Sequence, residues 1–114
     1  MPISFEDRSA NFRHIILSGR LDDMGTKEIA QQLAKLTANE KRQVLIDLTG
    51  VTFLTSNGIS MLMKNASTQQ KLGGRIALLV GDNTFVAKTL MVVGIRELLP
   101  IFKNYPEAEQ ALLT

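Results

Sequence analysis

The sequence contains few groups of neighbouring residues of the types that carry out catalysis. A nucleophilic serine needs a base beside it, and the only histidine, His14, alternates with Phe12 and Ile16 inside a predicted strand. His14 is therefore predicted to be a structural or surface residue. Asp22 and Asp23 form a carboxylate pair directly before a predicted helix, where the helix dipole favours negative charge. Neither pattern predicts an enzyme.

Binding sites for metals, nucleotides and dinucleotides have recognisable spacings. The sequence contains no phosphate-binding loop, no dinucleotide glycine fingerprint and no metal-spaced cluster of histidine and carboxylates. Gly73 and Gly74 precede a predicted strand, so they are predicted to be turn residues. Because the chain has no cysteine, disulfides and thiolate metal sites are excluded. We expect no cofactor and no bound metal.

A group of hydroxyl side chains follows the apolar run at 44–48 and comes directly before a predicted helix. Ser56 lies at the mouth of that helix, next to Thr55. A serine at such a position usually caps the helix, because its oxygen accepts a hydrogen bond from a free backbone N–H. Spacing alone therefore predicts a capping role for Ser56.

Length and composition are those of one globular domain. Of 114 residues, 45% are hydrophobic and 21% are charged, so we expect a single domain over 1–114. The 13 basic residues are dispersed and the net charge is +2, which does not favour nucleic-acid binding. The N-terminus lacks a leader pattern and no apolar stretch is long enough to span a bilayer. We expect no membrane association and a cytoplasmic location.

Hydrophobic periodicity predicts alternating strands and helices. Strands are expected near 3–6, 12–17, 44–48, 75–80 and 98–102. Helices are expected over 24–37, from 59 to the glycine pair at 73–74, over 84–93 with Gly94 at the end, and from 106 to near 113. Such alternation favours right-handed crossovers and a mainly parallel sheet, with a mixed edge at the N-terminal strands. The predicted fold class is α/β, with one mixed, mostly parallel central sheet and about four helices.

Four segments, at 17–22, 46–59, 72–76 and 86–95, combine strand ends, glycine turns and a helix in a definite order. The longest, IDLTGVTFLTSNGI, is similar to the signature loop of bacterial anti-sigma-factor antagonists, the STAS-domain proteins. The other three resemble the turn into that family's first helix, its entry to the following strand, and its third helix with a glycine. The resemblance covers nearly the whole chain and implies a non-enzymatic STAS domain that acts by binding another protein.

The resemblance also implies a partner and a switch. In this family, the serine that matches Ser56 is phosphorylated by the partner, an anti-sigma factor that is also a serine kinase, and a serine phosphatase reverses the change. Asp22 matches an acidic residue close to that serine and is expected to orient the hydroxyl or a metal-bound phosphate donor. The protein is expected to be a monomer or weak dimer. The expected partner-binding residues are Asp22, Thr55, Ser56, Asn57, Gly58, Ser60, Met61 and Met91.

Helical geometry adds to this surface. Ser60 and Met61 are expected off the inward stripe of the second helix, and Met91 or Val92 off that of the third. An exposed methionine suits an adaptable interface. Core packing is the alternative for these methionines, because the run at 90–93 is apolar on all sides.

Two residues depart from the family pattern. Thr55 stands where many members have aspartate, and Asn57 where they have serine or threonine. Thr55 could itself accept the phosphate or replace the missing carboxylate as a hydrogen-bond partner, but Ser56 is the favoured site. The alternative function is a non-phosphorylated STAS scaffold or transporter accessory subunit. An enzyme or receiver-like phosphoacceptor is less favoured, because Asp47 lies inside a predicted strand and not at its end.

Overall fold

The computed structural model describes residues 2–93, 95 and 98–114. Within them, strands and helices alternate in the expected order. The strands are β1 (Ile3–Asp7), β2 (Phe12–Leu21), β3 (Gln43–Leu54), β4 (Arg75–Leu79) and β5 (Ile101–Phe102). The helices are α1 (Asp23–Thr37), α2 (Ser56–Leu72), α3 (Thr84–Val93) and α4 (Tyr105–Leu113). The predicted helix end at Gly94 lies outside the described residues.

The strands of the described chain form one sheet in chain order, from β1 to β5. β1 is antiparallel to β2, whereas β2, β3, β4 and β5 are parallel. The predicted α/β class and the mixed, mostly parallel sheet are therefore confirmed. Each crossover from β2 onwards moves one strand in the same direction, and right-handed crossovers of this kind place their helices on one face of the sheet.

Two hydrophobic clusters show which helices cover each face. The larger joins α1, α2 and α3 to the sheet through residues such as Leu33, Leu62 and Leu90. The smaller lies on the opposite face, where α4 contributes Ala108 and Leu112. Successive strand residues point to opposite faces, so both faces of β3 are buried and its continuous apolar run is explained.

β2 and β3 are longer than the apolar runs that predicted them. The expected strands ended at 17 and 48, whereas pairing continues to Leu21 and Leu54. The register of the pairing between β2 and β3 shifts twice over residues 16–20 of β2. Each shift places an extra residue in β3, as a β-bulge does. This irregular pairing accommodates a Thr- and Gly-containing segment with the composition of a turn. As a result, β2 and β3 end level with each other and their following helices begin side by side.

His14 has a structural role on the face covered by α4. Its Nε2 lies 3.1 Å from Oδ2 of Asp47, and its ring packs against Tyr105 at a centroid distance of 5.3 Å. Asp47 also accepts hydrogen bonds from the backbone N–H and hydroxyl of Thr49, at 2.9 and 2.6 Å. Burial by itself would raise the pKa of Asp47, but the hydrogen bonds from His14 and Thr49 outweigh it and lower that pKa.

We expect this carboxylate to make folding stability depend on acid pH. A carboxyl whose pKa is lower in the folded state stabilises the fold above its unfolded pKa of about 4, and this contribution is lost as pH falls through the folded pKa. The urea concentration at the unfolding midpoint should therefore decrease as the pH is lowered from about 6 to about 3. Asp47→Asn should make this decrease smaller. The exposed Asp82→Asn variant is the control, and an equal flattening there would contradict the assignment to Asp47.

Candidate functional site

The candidate site lies at the edge of the sheet where the parallel strands end. Binding and signalling residues often lie at this edge in α/β proteins, because the following helices begin there. Leu21 of β2 pairs with Leu54 of β3, so the first turns of α1 and α2 are neighbours. The expected site residues Asp22 and Ser56 are thus brought to the same edge, although they are far apart in sequence.

Thr55, and not Ser56, is the capping residue of α2. The Thr55 hydroxyl donates to the carbonyl oxygen of Leu21 at 2.9 Å and accepts from the N–H of Gly58 at 3.4 Å. The prediction that Ser56 caps the helix is therefore wrong. Ser56 is the first helical residue, and its side chain is exposed. Within the described chain, its hydroxyl has no hydrogen-bond partner.

Asp22 caps α1 in the same way. Its Oδ1 accepts from the N–H of Gly25 at 2.8 Å, and its Oδ2 accepts from Nε of Arg20 at 3.2 Å. The hydrogen bond from Gly25 and that from Arg20 lower the pKa of Asp22. Asp22 is therefore ionised at neutral pH. Both of its carboxylate oxygens already accept hydrogen bonds, one from the first turn of its own helix and one from Arg20.

Asp23 is the carboxylate that reaches α2, a contact that the sequence did not indicate. Nδ2 of Asn57 donates to Oδ1 of Asp23 at 2.6 Å, which joins the first turns of α1 and α2. Asn57 directly follows Ser56, the candidate phosphorylation site. Its amide and the Asp23 carboxylate are both exposed beside Ser56.

Gly58 and Met61 do not lie on the accessible surface, contrary to the expectation. A Cβ on Gly58 would lie 2.9 Å from Cδ1 of Leu54 and 3.0 Å from the carbonyl oxygen of Leu21, so this glycine lets α2 approach the strand ends. Met61 is only 8% exposed. The reason is that α2 packs against α1 as well as against the sheet, and its buried surface is wider than the single inward stripe of the prediction.

Ser60 and Met91 lie on the surface as expected. Ser60 is exposed and lines a groove of about 430 Å³ between α1 and α2, next to Asn57. Met91 of α3 is 58% exposed, so core packing is not its role. The side chain of Val92, the alternative to Met91, lies outside the described part of the structure.

An aromatic patch near the site was not found from the sequence. The guanidinium of Arg20 lies 4.4 Å from the ring centroid of Phe53, and Phe53 stacks on Phe85 with centroids 6.2 Å apart. Phe85 is 48% exposed. Met24, in the first turn of α1, is 83% exposed. The aromatic patch, made of Arg20, Phe53 and Phe85, offers apolar area at the same edge of the sheet as Ser56.

Neither a metal-binding cluster nor a membrane-spanning helix occurs among the described residues. Among residues 2–93, 95 and 98–114, no group of three or more His, Cys, Asp or Glu side chains is placed to hold a metal ion. Over the same residues, no helix is long and apolar enough to cross a bilayer. The site is thus built from an exposed hydroxyl, two helix N-termini, two carboxylates and the neighbouring aromatic patch.

Comparison with known proteins places this architecture among the STAS domains. Residues 4–100 match the family model described as "Mlab, STAS domain". Since the match covers most of the sequence, the chain belongs to the STAS-domain family, and the resemblance inferred from the sequence is confirmed. Comparison with curated proteins gave no significant match.

Solved structures agree with this fold. An anti-sigma-factor antagonist domain from Planctomyces limnophilus matches with a TM-score of 0.83 and 24% identity, over 98% of each chain. An anti-sigma factor antagonist from Mycobacterium paratuberculosis matches with a TM-score of 0.81 and 22% identity, over 98% of this chain and 93% of that one. The phosphorylated form of the Bacillus cell-fate determinant SpoIIAA matches with a TM-score of 0.66 and 17% identity, over 96% and 97%. At these identities the likeness concerns the fold.

Proposed function

We propose that this chain is an anti-sigma-factor antagonist that binds an anti-sigma factor with serine-kinase activity, and that reversible phosphorylation of Ser56 controls the binding. The observation that carries the proposal is the division of roles between Thr55 and Ser56. Thr55 already caps α2, which leaves the exposed hydroxyl of Ser56 free to react. A serine phosphatase would restore the unmodified form.

A phosphate on Ser56 is compatible with the fold. It would add about −1.5 to −2 charges and three acceptor oxygens, at a helix N-terminus whose free N–H groups and dipole favour an anion. The first turn of α2 contains no acidic residue. The phosphate would therefore be accepted by the domain without unfolding α2.

The same phosphate would change the docking surface. Asp23 is hydrogen-bonded to Asn57, the residue directly after Ser56, so a new anion would add to the negative charge already present between α1 and α2. An anion on a binding face must also lose part of its hydration when the partner docks. Phosphorylation should therefore weaken binding at the surface that contains the aromatic patch, Met24 and Ser60.

Thr55 is a poorer candidate than Ser56 for accepting a phosphate group. Its hydroxyl proton is donated to the Leu21 carbonyl at 2.9 Å, and its side chain is only partly exposed. Phosphorylation of Thr55 would remove this hydrogen bond and the cap of α2 together. The hydroxyl of Thr55 thus takes a structural role where many family members have aspartate.

The domain, taken over 1–114, acts by binding and not by catalysis, and it works in the cytoplasm, where a kinase has ATP. Its protein partners are the anti-sigma factor kinase and the phosphatase, with no role for nucleic acid or membrane. The proposed partner-binding surface consists of Ser56 and the exposed side chains of Met24, Asn57, Ser60, Phe85 and Met91.

Phosphorylation can be tested with the intact protein. After incubation with the cognate kinase and ATP, the mass of the chain should increase by one phosphate, and Ser56→Ala should abolish the increase. Ser60→Ala is the matched control, because Ser60 is also an exposed serine of α2, and it should still be modified. Ser56→Asp should weaken partner binding about tenfold or more in a calorimetric titration, which corresponds to about 1.4 kcal/mol. Modification that persists in Ser56→Ala would refute the site.

A second candidate function is a STAS domain that binds its partner constitutively, as a scaffold or transporter accessory subunit. The observation that favours it is Thr55, which stands in place of the usual aspartate and is occupied by capping. Under this alternative, Ser56→Asp would leave partner affinity unchanged. The binding experiment on Ser56→Asp therefore decides between the two functions.

A further inference from the structure

The outer edge of β1 is open within the described chain. β1 pairs only with β2, in an antiparallel register that matches Ile3 with Leu17 and Phe5 with Ile15. The N–H of Ser18 donates to the carbonyl of Pro2, which identifies 2, 4 and 6 as the residues that hydrogen-bond to β2, because such residues alternate along an antiparallel pair. The backbone groups of Ile3, Phe5 and Asp7 consequently point away from the sheet.

An apolar groove runs beside this open edge. It has a volume of about 520 Å³ and lies between β1 and the last turns of α1, lined by Ile3, Ser4, Phe5, Gln32, Lys35 and Leu36. The ring of Phe5 is 49% exposed, an unusual amount for a phenylalanine on the core side of a strand. An added strand would cover both the free backbone groups and this ring.

Arg13 holds the edge in a defined conformation. Its guanidinium lies 4.7 Å from the Phe5 ring centroid, bonds the Asp7 carboxylate at 2.7 and 3.1 Å, and donates to the carbonyl of Leu36 at 3.0 Å. β1, β2 and α1 are thereby tied together. A prearranged edge loses less conformational entropy when another strand binds to it.

We propose that a second copy of this chain pairs with this edge, β1 against β1, in an antiparallel register centred on Phe5. The outward backbone groups of Ile3, Phe5 and Asp7 then meet those of Asp7, Phe5 and Ile3 of the second copy. The two Phe5 rings lie next to each other on the α1 side, because opposite residues of an antiparallel pair share a face. The result is a two-fold symmetric dimer with one continuous sheet.

Charge favours a second copy as the occupant. In this register, Asp7 of the second copy lies opposite Ile3, on the face where Lys35 lines the groove. The two-fold symmetry repeats the contact, so each Asp7 meets a lysine of the other chain in addition to its own Arg13. The net charge of +2 per chain is too small to oppose association strongly.

The test is a sedimentation equilibrium series on the full chain at increasing concentration. The wild-type protein should form a dimer at high concentration, and Phe5→Lys should raise the dimer dissociation constant about tenfold or more. Phe85→Lys is the matched control, since Phe85 has nearly the same exposure at 48% but lies in the aromatic patch, and it should leave the dissociation constant unchanged. A monomer at every concentration, or an equal effect of both variants, would overturn the proposal.

A second pair of variants tests the register. Lys35→Glu should raise the dimer dissociation constant, because it places two carboxylates together, whereas Lys27→Glu on the same helix should not. An unchanged value for Lys35→Glu would overturn the paired geometry. Circular dichroism of each variant shows whether it is folded. Ser56→Asp should dimerise as the wild type does. The tests of the dimer and of the proposed partner switch are therefore independent of each other.

Discussion

Replacing Gly25 with alanine is expected to destabilise the protein by about 3 kcal/mol, although alanine is the better helix former. Gly25 lies in the first turn of α1, and an added Cβ would lie 1.9 Å from the carbonyl oxygen of Arg20. That oxygen belongs to the backbone at the end of β2 and cannot rotate away. Helix propensity alone would predict a gain of about 0.5–1 kcal/mol, so the two effects have opposite signs and the steric one is larger.

Urea unfolding of Gly25→Ala measures this difference directly. The matched control is Gly50→Ala, because the nearest atom to a Cβ there, Cβ of Ser18, lies at 3.4 Å, which is an ordinary contact. Gly50→Ala should unfold close to the wild-type midpoint. A Gly25→Ala protein as stable as the wild type would show that α1 does not approach β2 this closely.

The same substitution should affect the candidate site. Gly25 donates the hydrogen bond that ionised Asp22 accepts as the cap of α1, and the next residue, Asp23, bonds Asn57. A shift of the first turn of α1 would therefore move the carboxylate that lies beside Ser56. Partner binding by any folded fraction of Gly25→Ala should be weaker than that of Gly50→Ala.

Replacing Gln69 with leucine is expected to lower the free energy of unfolding by about 3–5 kcal/mol, because it would leave one buried and two partly buried backbone groups without this hydrogen-bond partner. Gln69 is fully buried. Its Nε2 donates to the carbonyl oxygens of Thr37 and, at 2.8 Å, Glu40, and its Oε1 accepts from the N–H of Arg42 at 3.0 Å. This one side chain of α2 therefore holds the end of α1 and the entry to β3.

The control for this substitution is Gln70→Leu, which changes the exposed neighbour of Gln69 on the same helix. It should alter the free energy of unfolding by no more than about 0.5 kcal/mol. Equal stability of the two variants would mean that the Gln69 hydrogen bonds contribute little. The fluorescence of the single Tyr105 can follow both unfolding transitions.

Segments of strand-like and helix-like hydrophobic periodicity alternate along the sequence, and they predicted the order of the elements well. The same periodicity misplaced the ends of β2 and β3. Periodicity reports which residues face the core of one element, and the order of such elements favours a mostly parallel sheet. The segment from Thr49 to Thr52 has the composition of a turn. Only pairing with β2 across a shifted register makes it part of a strand.

In the candidate site, too, the sequence predicted the types of residue present, whereas the tertiary structure decided the role of each one. A hydroxyl cap for α2 was expected, but the distances to Leu21 and Gly58 assign it to Thr55 and free Ser56. Met61 was placed on the surface because the helix was considered alone, whereas the neighbouring α1 buries it. The contact between Asp23 and Asn57 spans 34 positions of the sequence, and no local pattern could indicate it.

The sequence by itself determined the kind of protein: an α/β STAS domain with a serine at the start of its second helix. Local patterns suffice for the α/β class and the element order, because hydrophobic period, turn glycines and capping residues act over a few neighbouring positions. The STAS domain was implied by the resemblance of four segments, above all the one at 46–59, to that family. The tertiary structure decided which hydroxyl is free, which carboxylate lies beside it and which side chains surround it. These depend on the level at which β2 and β3 end and on the distance between α1 and α2, and such through-space quantities arise only when the whole chain packs.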